Sequence, residues 1–170
     1  LAHLESAPAK YVLWKKWRLT HPVEASNFLA SAAQDGFPQA LLELGETDFQ
    51  DYSKPFSVRT NGWHQMVRAA TSGYPPAAEL VARYDSGFIE MDFPTANDRW
   101  RGGRFPPLDL ARSLRLLRTA VDEGYGGALV PLALLYSSGI GEPRTTDESP
   151  QNLLLNAARA GKPEAYRNLA

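Results

Sequence analysis

Four glycines, Gly36, Gly73, Gly124 and Gly161, punctuate this 170-residue chain at spacings of 37, 51 and 37 residues. At the same offset before each stand Ala32-Ala33, Ala69-Ala70, Ala120-Val121 and Ala157-Ala158. Four residues after each stands an alanine: Ala40, Ala77, Ala128 and Ala165. Eight residues after three of the glycines come Leu44-Gly45, Leu132-Ala133 and Leu169-Ala170, and the second stretch slips by one. A period near 37 residues is that of a helix pair, interrupted here once by about 14 extra residues. Such a unit cannot bury its apolar face alone, so the chain is expected to stack its units side by side.

Each unit has a readable logic. An apolar stripe at helical spacing runs into a glycine that takes a left-handed conformation, ending one helix and turning the chain back. Pro22, Pro38, Pro75-Pro76 and Pro163 then mark helix starts, where a missing N–H costs least. The pattern predicts helices over 22–35, 38–49, 61–72, 75–85, 108–123, 126–137, 149–160 and 162–170, plus one over 8–18. Small residues are expected on the facing surfaces of each hairpin, with Trp63, Leu114, Leu117, Leu154 and Leu155 filling the grooves between units.

The third unit runs from Ser113-Leu114 through Ala120, Gly124, Ala128, Leu132-Ala133, Tyr136 and Gly139-Ile140-Gly141 to Asp147. It resembles a Sel1-like repeat, a relative of the tetratricopeptide repeat. The fourth, from Leu154 through Ala157-Ala158, Gly161 and Ala165 to Leu169-Ala170, resembles the first part of another. The first two units match less fully: Thr47 and Asp48 stand where a tyrosine is expected, and Tyr84 with Gly87 comes one residue early. The resemblance covers about residues 22–170. It implies an all-α, α/α superhelical solenoid of about four helix-pair units, over 22–60, 61–107, 108–148 and 149–170, behind a capping helix in residues 1–21. It also implies a protein-binding adaptor of bacterial secretion, envelope or signalling systems, holding its partner on a concave face lined by first helices. No catalytic residues are shared by the family, so no enzyme is implied. Some secreted relatives staple each helix pair with a disulfide; this chain has no cysteine, so alanine packing must hold its hairpins.

The break in the period is an inserted loop, residues 88–108, too interrupted by proline and glycine for a long helix. It carries Phe88, Phe93, Trp100 and Phe105 with Arg99, Arg101 and Arg104, residue types enriched at binding hot spots. Loops longer than about 12–15 residues in compact domains are functional or disordered. These seven residues are the candidate partner-binding set, and the competing reading is that the aromatics fold back over the edge of the array. A shorter departure, Asp51–Thr60, is expected to form a ridge beside it.

Charge and composition narrow the function. With 18 Lys+Arg against 19 Asp+Glu, the chain lacks the basic excess on which nucleic-acid binders rely. The segment Lys10–Arg18 mixes aromatic and basic residues, but Tyr11, Trp14 and Trp17 recur every three positions, the pattern of a buried helix face. No apolar run approaches the roughly 18 residues of a membrane span. Leu1 in place of a starting Met suggests a processed or trimmed chain. The stop at Ala170, inside a helix, implies either that the natural protein continues or that this helix is shortened into a cap.

His3, His21 and His64 are scattered, and without cysteine no zinc set forms, so neither a metal nor another cofactor is expected. Gly124-Tyr125-Gly126-Gly127 sits at a repeat turn without the preceding strand that a phosphate-binding loop needs. Carboxylates such as Glu43, Glu46, Asp48 and Asp147-Glu148 fit solvated faces and helix starts. The expectation is a non-catalytic interaction scaffold, periplasmic or cytoplasmic, whose partner is another protein. Its alternatives are a bacterial immunity protein or envelope chaperone that neutralises a secreted effector, and a module that binds cell-envelope polysaccharide.

Overall fold

The computed structural model describes residues 6–88, 106 and 108–169. Among them every regular segment is helical: α1 (Ala7–Trp17), α2 (Pro22–Gln34), α3 (Pro38–Gln50), α4 (Phe56–Thr71), α5 (Pro75–Ser86), α6 (Leu110–Asp122), α7 (Leu129–Ser137), α8 (Pro150–Arg159) and α9 (Pro163–Leu169). Single 3-10 turns cover Gly126–Ala128 and Thr146–Glu148. The fold is thus the all-α helix-pair repeat that the spacing predicts.

The four repeat turns share one hydrogen-bond scheme. Gly36, Gly73, Gly124 and Gly161 all have φ between +74° and +85°. The residue after each glycine donates its N–H to the carbonyl five residues back: Phe37 to Ala32, Tyr74 to Ala69, Tyr125 to Ala120 and Lys162 to Ala157, at 2.9–3.2 Å. The glycine N–H itself bonds the next carbonyl, of Ala33, Ala70, Val121 or Ala158. This is the Schellman closure, which satisfies carbonyls that a helix end would leave unpaired. The small residues therefore have two tasks: they form the closure, and Ala32, Ala69, Ala120 and Ala157 are all buried. The alanine four residues after each glycine is completely buried in all four units.

The chain forms two compact bodies, Leu1–Tyr74 and Pro75–Ala170. In the first, α1 packs on α2, and α3 lies against α4 in the most extensive helix contact described. Phe49 and Trp63 fill this junction with ring centroids 5.5 Å apart. In the second, α5 packs on α6 and α7 on α8, each more extensively than α6 packs on α7 or α8 on α9. The strongest packing therefore joins the second helix of one sequence unit to the first helix of the next, and not the two helices of a hairpin. Six of the nine residues of α7 are buried, which makes it the central helix of this body.

Several expectations need correction. Helix α4 begins at Phe56, five residues early, because Pro55 starts it and Arg59, in its first turn, is buried, donating from Nε to the Phe49 carbonyl at 3.2 Å. The departure expected over Asp51–Thr60 shrinks to residues 51–55. The helix expected over 126–137 opens as a 3-10 turn, since Gly126 and Gly127 are poor helix formers and Pro131 withholds an N–H. Leu155, expected in a groove, is 43% exposed, whereas Trp63, Leu117 and Leu154 are buried. No residue of α1 is fully buried. Its aromatic face is half-covered, Tyr11 by Phe37 and Trp17 by Phe28, with ring centroids 5.3 and 5.7 Å apart.

Candidate partner-binding cleft

The ends of the inserted loop meet at one buried ion pair. Asp85, in the last turn of α5, is wholly buried and accepts hydrogen bonds from Arg112 Nε and Nη2, both at 2.7 Å. Asp109 N donates to the Asp85 carbonyl at 3.0 Å, and the Asp109 side chain caps α6 by accepting from Arg112 N at 2.9 Å. Ser113 Oγ adds a bond to the Ala82 carbonyl at 3.0 Å. Burial pushes the Asp85 carboxyl above its usual range, while Arg112 pulls against that shift. The chain thus leaves and rejoins the body at adjacent points.

Beside this neck lies a cleft of about 300 Å³, lined from α5, α7 and α9. Helix α7 contributes Val130, Pro131 and Leu134, and Phe88, 39% exposed, stands at the root of the insertion. The polar lining is Arg83 from α5 and Glu164, Arg167 and Asn168 from α9, the latter spaced i, i+3, i+4 on one helical face. Arg83 Nη2 donates to Glu164 Oε2 at 2.6 Å, and its Nε sits 3.2 Å from Glu79 Oε1. Tyr125 Oη in turn donates to Glu79 Oε2 at 3.1 Å. Asn168 Nδ2 is held by the Glu164 carbonyl at 2.7 Å. Arg167, by contrast, has no ionic partner among the described residues.

On the other side of α7, the connection to α8 is latched by charge. Arg144 bonds both carboxylate oxygens of Asp122, at 2.6 and 2.9 Å, and pairs with Glu148. Arg118 Nε donates to Tyr136 Oη at 2.9 Å and Nη2 to the Glu142 carbonyl at 2.6 Å. Arg144 holds the carboxyls of Asp122 and Glu148 below their usual range.

Of the seven sequence candidates, Phe88 lines the cleft; Phe93, Arg99, Trp100, Arg101, Arg104 and Phe105 lie outside the described residues. The cleft is formed by second helices, whereas the resemblance implied a face of first helices. Sequence reading missed Arg83, Val130, Pro131, Leu134, Glu164, Arg167 and Asn168. The spacing of the last set in α9 was available as a signal, but which helices it faces was not. Among the described residues no group of three or more His, Cys, Asp or Glu side chains is placed to hold a metal ion. No described helix is long and apolar enough to cross a membrane.

No protein-family model matches the chain, and no curated protein matches it. Solved structures do. A Sel1 repeat protein from Oxalobacter formigenes superposes with a TM-score of 0.69 at 17% identity, over 99% of this chain and 67% of that one. A protective antigen present in uropathogenic Escherichia coli strains, displaying an SLR fold, gives 0.73 at 18% identity, over 99% of this chain and 33% of that one. The chain spans two thirds of the first structure's length and one third of the second's, and it shares their fold.

Proposed function

From this Sel1-repeat fold with a cleft beside its inserted loop, we propose that the protein is a non-catalytic interaction scaffold that holds a protein partner. The cleft carries the reading. It is concave, has apolar walls from Val130, Pro131, Leu134 and Phe88, and has the Arg83–Glu164 ion pair in its lining, the usual anatomy of a binding site. Helices locked by Schellman turns and buried alanines lose little freedom on binding, so the ordering cost falls mainly on the partner. Phe88 in the cleft wall and the insertion residues Phe93, Arg99, Trp100, Arg101, Arg104 and Phe105 add to the grip on the partner, a reading supported by their aromatic and arginine chemistry.

Affinity capture of partners from native lysate tests this when run beside two variants. Leu134→Trp fills the cleft, and Trp100→Ala/Arg101→Ala weakens the insertion. Loss of the same partner in both, with melting temperatures near that of the parent, is the expected result. A partner retained by both variants, or a large drop in melting temperature for the Trp100→Ala/Arg101→Ala variant, refutes the assignment. An equimolar complex with one secreted effector would narrow the scaffold to an immunity protein or envelope chaperone.

A further inference from the structure

We propose that the exposed face of α1 docks on an anionic lipid surface and so holds the protein at a membrane without crossing it. This face belongs to the first body, Leu1–Tyr74, and shares no residue with the cleft.

Residues 6–23 hold four cations, Lys10, Lys15, Lys16 and Arg18, and no Asp or Glu, in a chain whose formal net charge is -1. Asp35 answers only Lys10, at 2.6 Å. Lys15, Lys16 and Arg18 are exposed and make no ion pair with any described residue. Two of them rest on rings instead. Lys15 Nζ lies 5.7 Å from the Tyr11 ring centroid, and the Arg18 guanidinium lies 5.5 Å from that of Trp14. Positive charge is thus concentrated on one helix with no anion of its own to neutralise it, the condition under which an outside anionic surface is attracted.

The same face exposes aliphatic side chains. Val12 is 61% and Leu19 88% exposed. With Lys15 and Lys16 they follow the spacing i, i+3, i+4, i+7, so Val12 and both lysines share one side of α1 and Leu19 continues it just past the helix end. Tyr11, Trp14 and Trp17 line the other side and are half-buried.

This combination selects among surfaces. A nucleic acid neutralises the cations but leaves Val12 and Leu19 in water, and an apolar protein groove takes Val12 and Leu19 but strands the lysine charges. An anionic bilayer meets both needs. Val12 and Leu19 enter the boundary between headgroups and acyl chains, while the lysine stems lie along it with their ammonium groups among the phosphates. Tryptophans at the rim suit the same depth. Val12 and Leu19 stand about 10 Å apart along the helix direction, a ridge that fits a flat, deformable surface.

Co-sedimentation of the full chain with vesicles tests this, using phosphatidylcholine alone and phosphatidylcholine with about 30% phosphatidylglycerol. Partitioning onto the anionic vesicles at least about tenfold stronger than onto the neutral ones is expected, and about 0.5 M NaCl should remove most of the difference. Lys15→Gln/Lys16→Gln should lower the anionic partition coefficient by about tenfold or more, at roughly fivefold for each cation near the surface. Val12→Ser/Leu19→Ser should lower it by about threefold or more. All four positions are exposed, so the melting temperature should match that of the parent in both variants. No partitioning onto anionic vesicles, or partitioning unchanged by either pair, overturns the proposal. A loss with the lysine pair and none with the aliphatic pair makes the face a site for any polyanion and overturns the lipid assignment. Binding to poly-glutamate but not to vesicles, lost in Lys15→Gln/Lys16→Gln, makes an acidic protein the occupant and overturns it as well.

Discussion

Gly45 on α3 and Gly62 on α4 lie so close that a Cβ built on either would stand 2.6 Å from the other's carbonyl oxygen. A Cβ at Gly62 would also meet Phe49 N at 2.8 Å. Backbone meets backbone there, and that approach lets Phe49 and Trp63 bury against each other beside the crossing. Glycine in a helix interior costs roughly 0.5–1 kcal/mol relative to alanine, so its use at both positions needs this compensation.

Gly62→Ala is therefore expected to destabilise by about 1–3 kcal/mol, the usual cost of overpacking, instead of stabilising as in an exposed helix. Urea unfolding measures it. A gain in stability would show that α3 and α4 do not meet at these residues.

Arg112→Ala should be among the most damaging single changes in the second body. It leaves the Asp85 carboxylate buried without its partner, a loss of about 3–5 kcal/mol for a buried pair. The double variant Asp85→Leu/Arg112→Met should recover most of that stability, because it removes the uncompensated charge. A double variant no more stable than Arg112→Ala would argue that packing, and not charge, governs the neck.

Acid should loosen the connection between α7 and α8. Asp122 and Glu148 have carboxyls held below their usual range by Arg144, so their contribution is fully present above the unfolded carboxylate range, about pH 4–4.5, and is lost as pH falls through the lower folded values. Asp85 has the opposite sign: its raised value means that protonation on acidification relieves a cost of burial. Thermal melts of Arg144→Ala from pH 7 to 2.5 should show a shallower acid decline than the parent. Identical slopes would remove Arg144 as the cause. The latch is largely exposed, so high salt should shrink the difference.

Replacing residues 89–105 with a four-residue Gly-Ser linker should leave the melting temperature within a few degrees, on the order of the small loop-closure term. The chain can be closed there because Asp109 N bonds the Asp85 carbonyl. A fall of more than 10 °C, roughly 2 kcal/mol or more for a domain of this size, would mean that the insertion covers the array's edge.

The turns were legible because each is decided within six residues. A glycine at positive φ, a small residue five positions ahead of the closing N–H and, in three of the four turns, a following proline settle the Schellman closure with no help from the rest of the chain. That Ala40, Ala77, Ala128 and Ala165 are buried was equally readable, since their shared offset from the glycine repeats one environment four times. Leu155 failed for the opposite reason: apolar character and helical spacing resemble those of Leu154, and only the neighbouring helix decides which of the two is covered. The early start of α4 was missed because nothing near Arg59 in the sequence tells that the Phe49 carbonyl awaits its side chain in the interior.

By itself, then, the amino-acid sequence determined that this protein is a series of helix pairs, where each helix ends and where the period breaks, because those features rest on backbone conformation and short-range hydrogen bonds. Tertiary structure alone decided that α3 pairs most closely with α4, that Asp85 and Arg112 close the neck, and that Arg83 and Glu164, 81 residues apart, meet across the cleft. Such meetings depend on how buried surfaces choose among several apolar neighbours, and a residue's own sequence context carries no record of that choice.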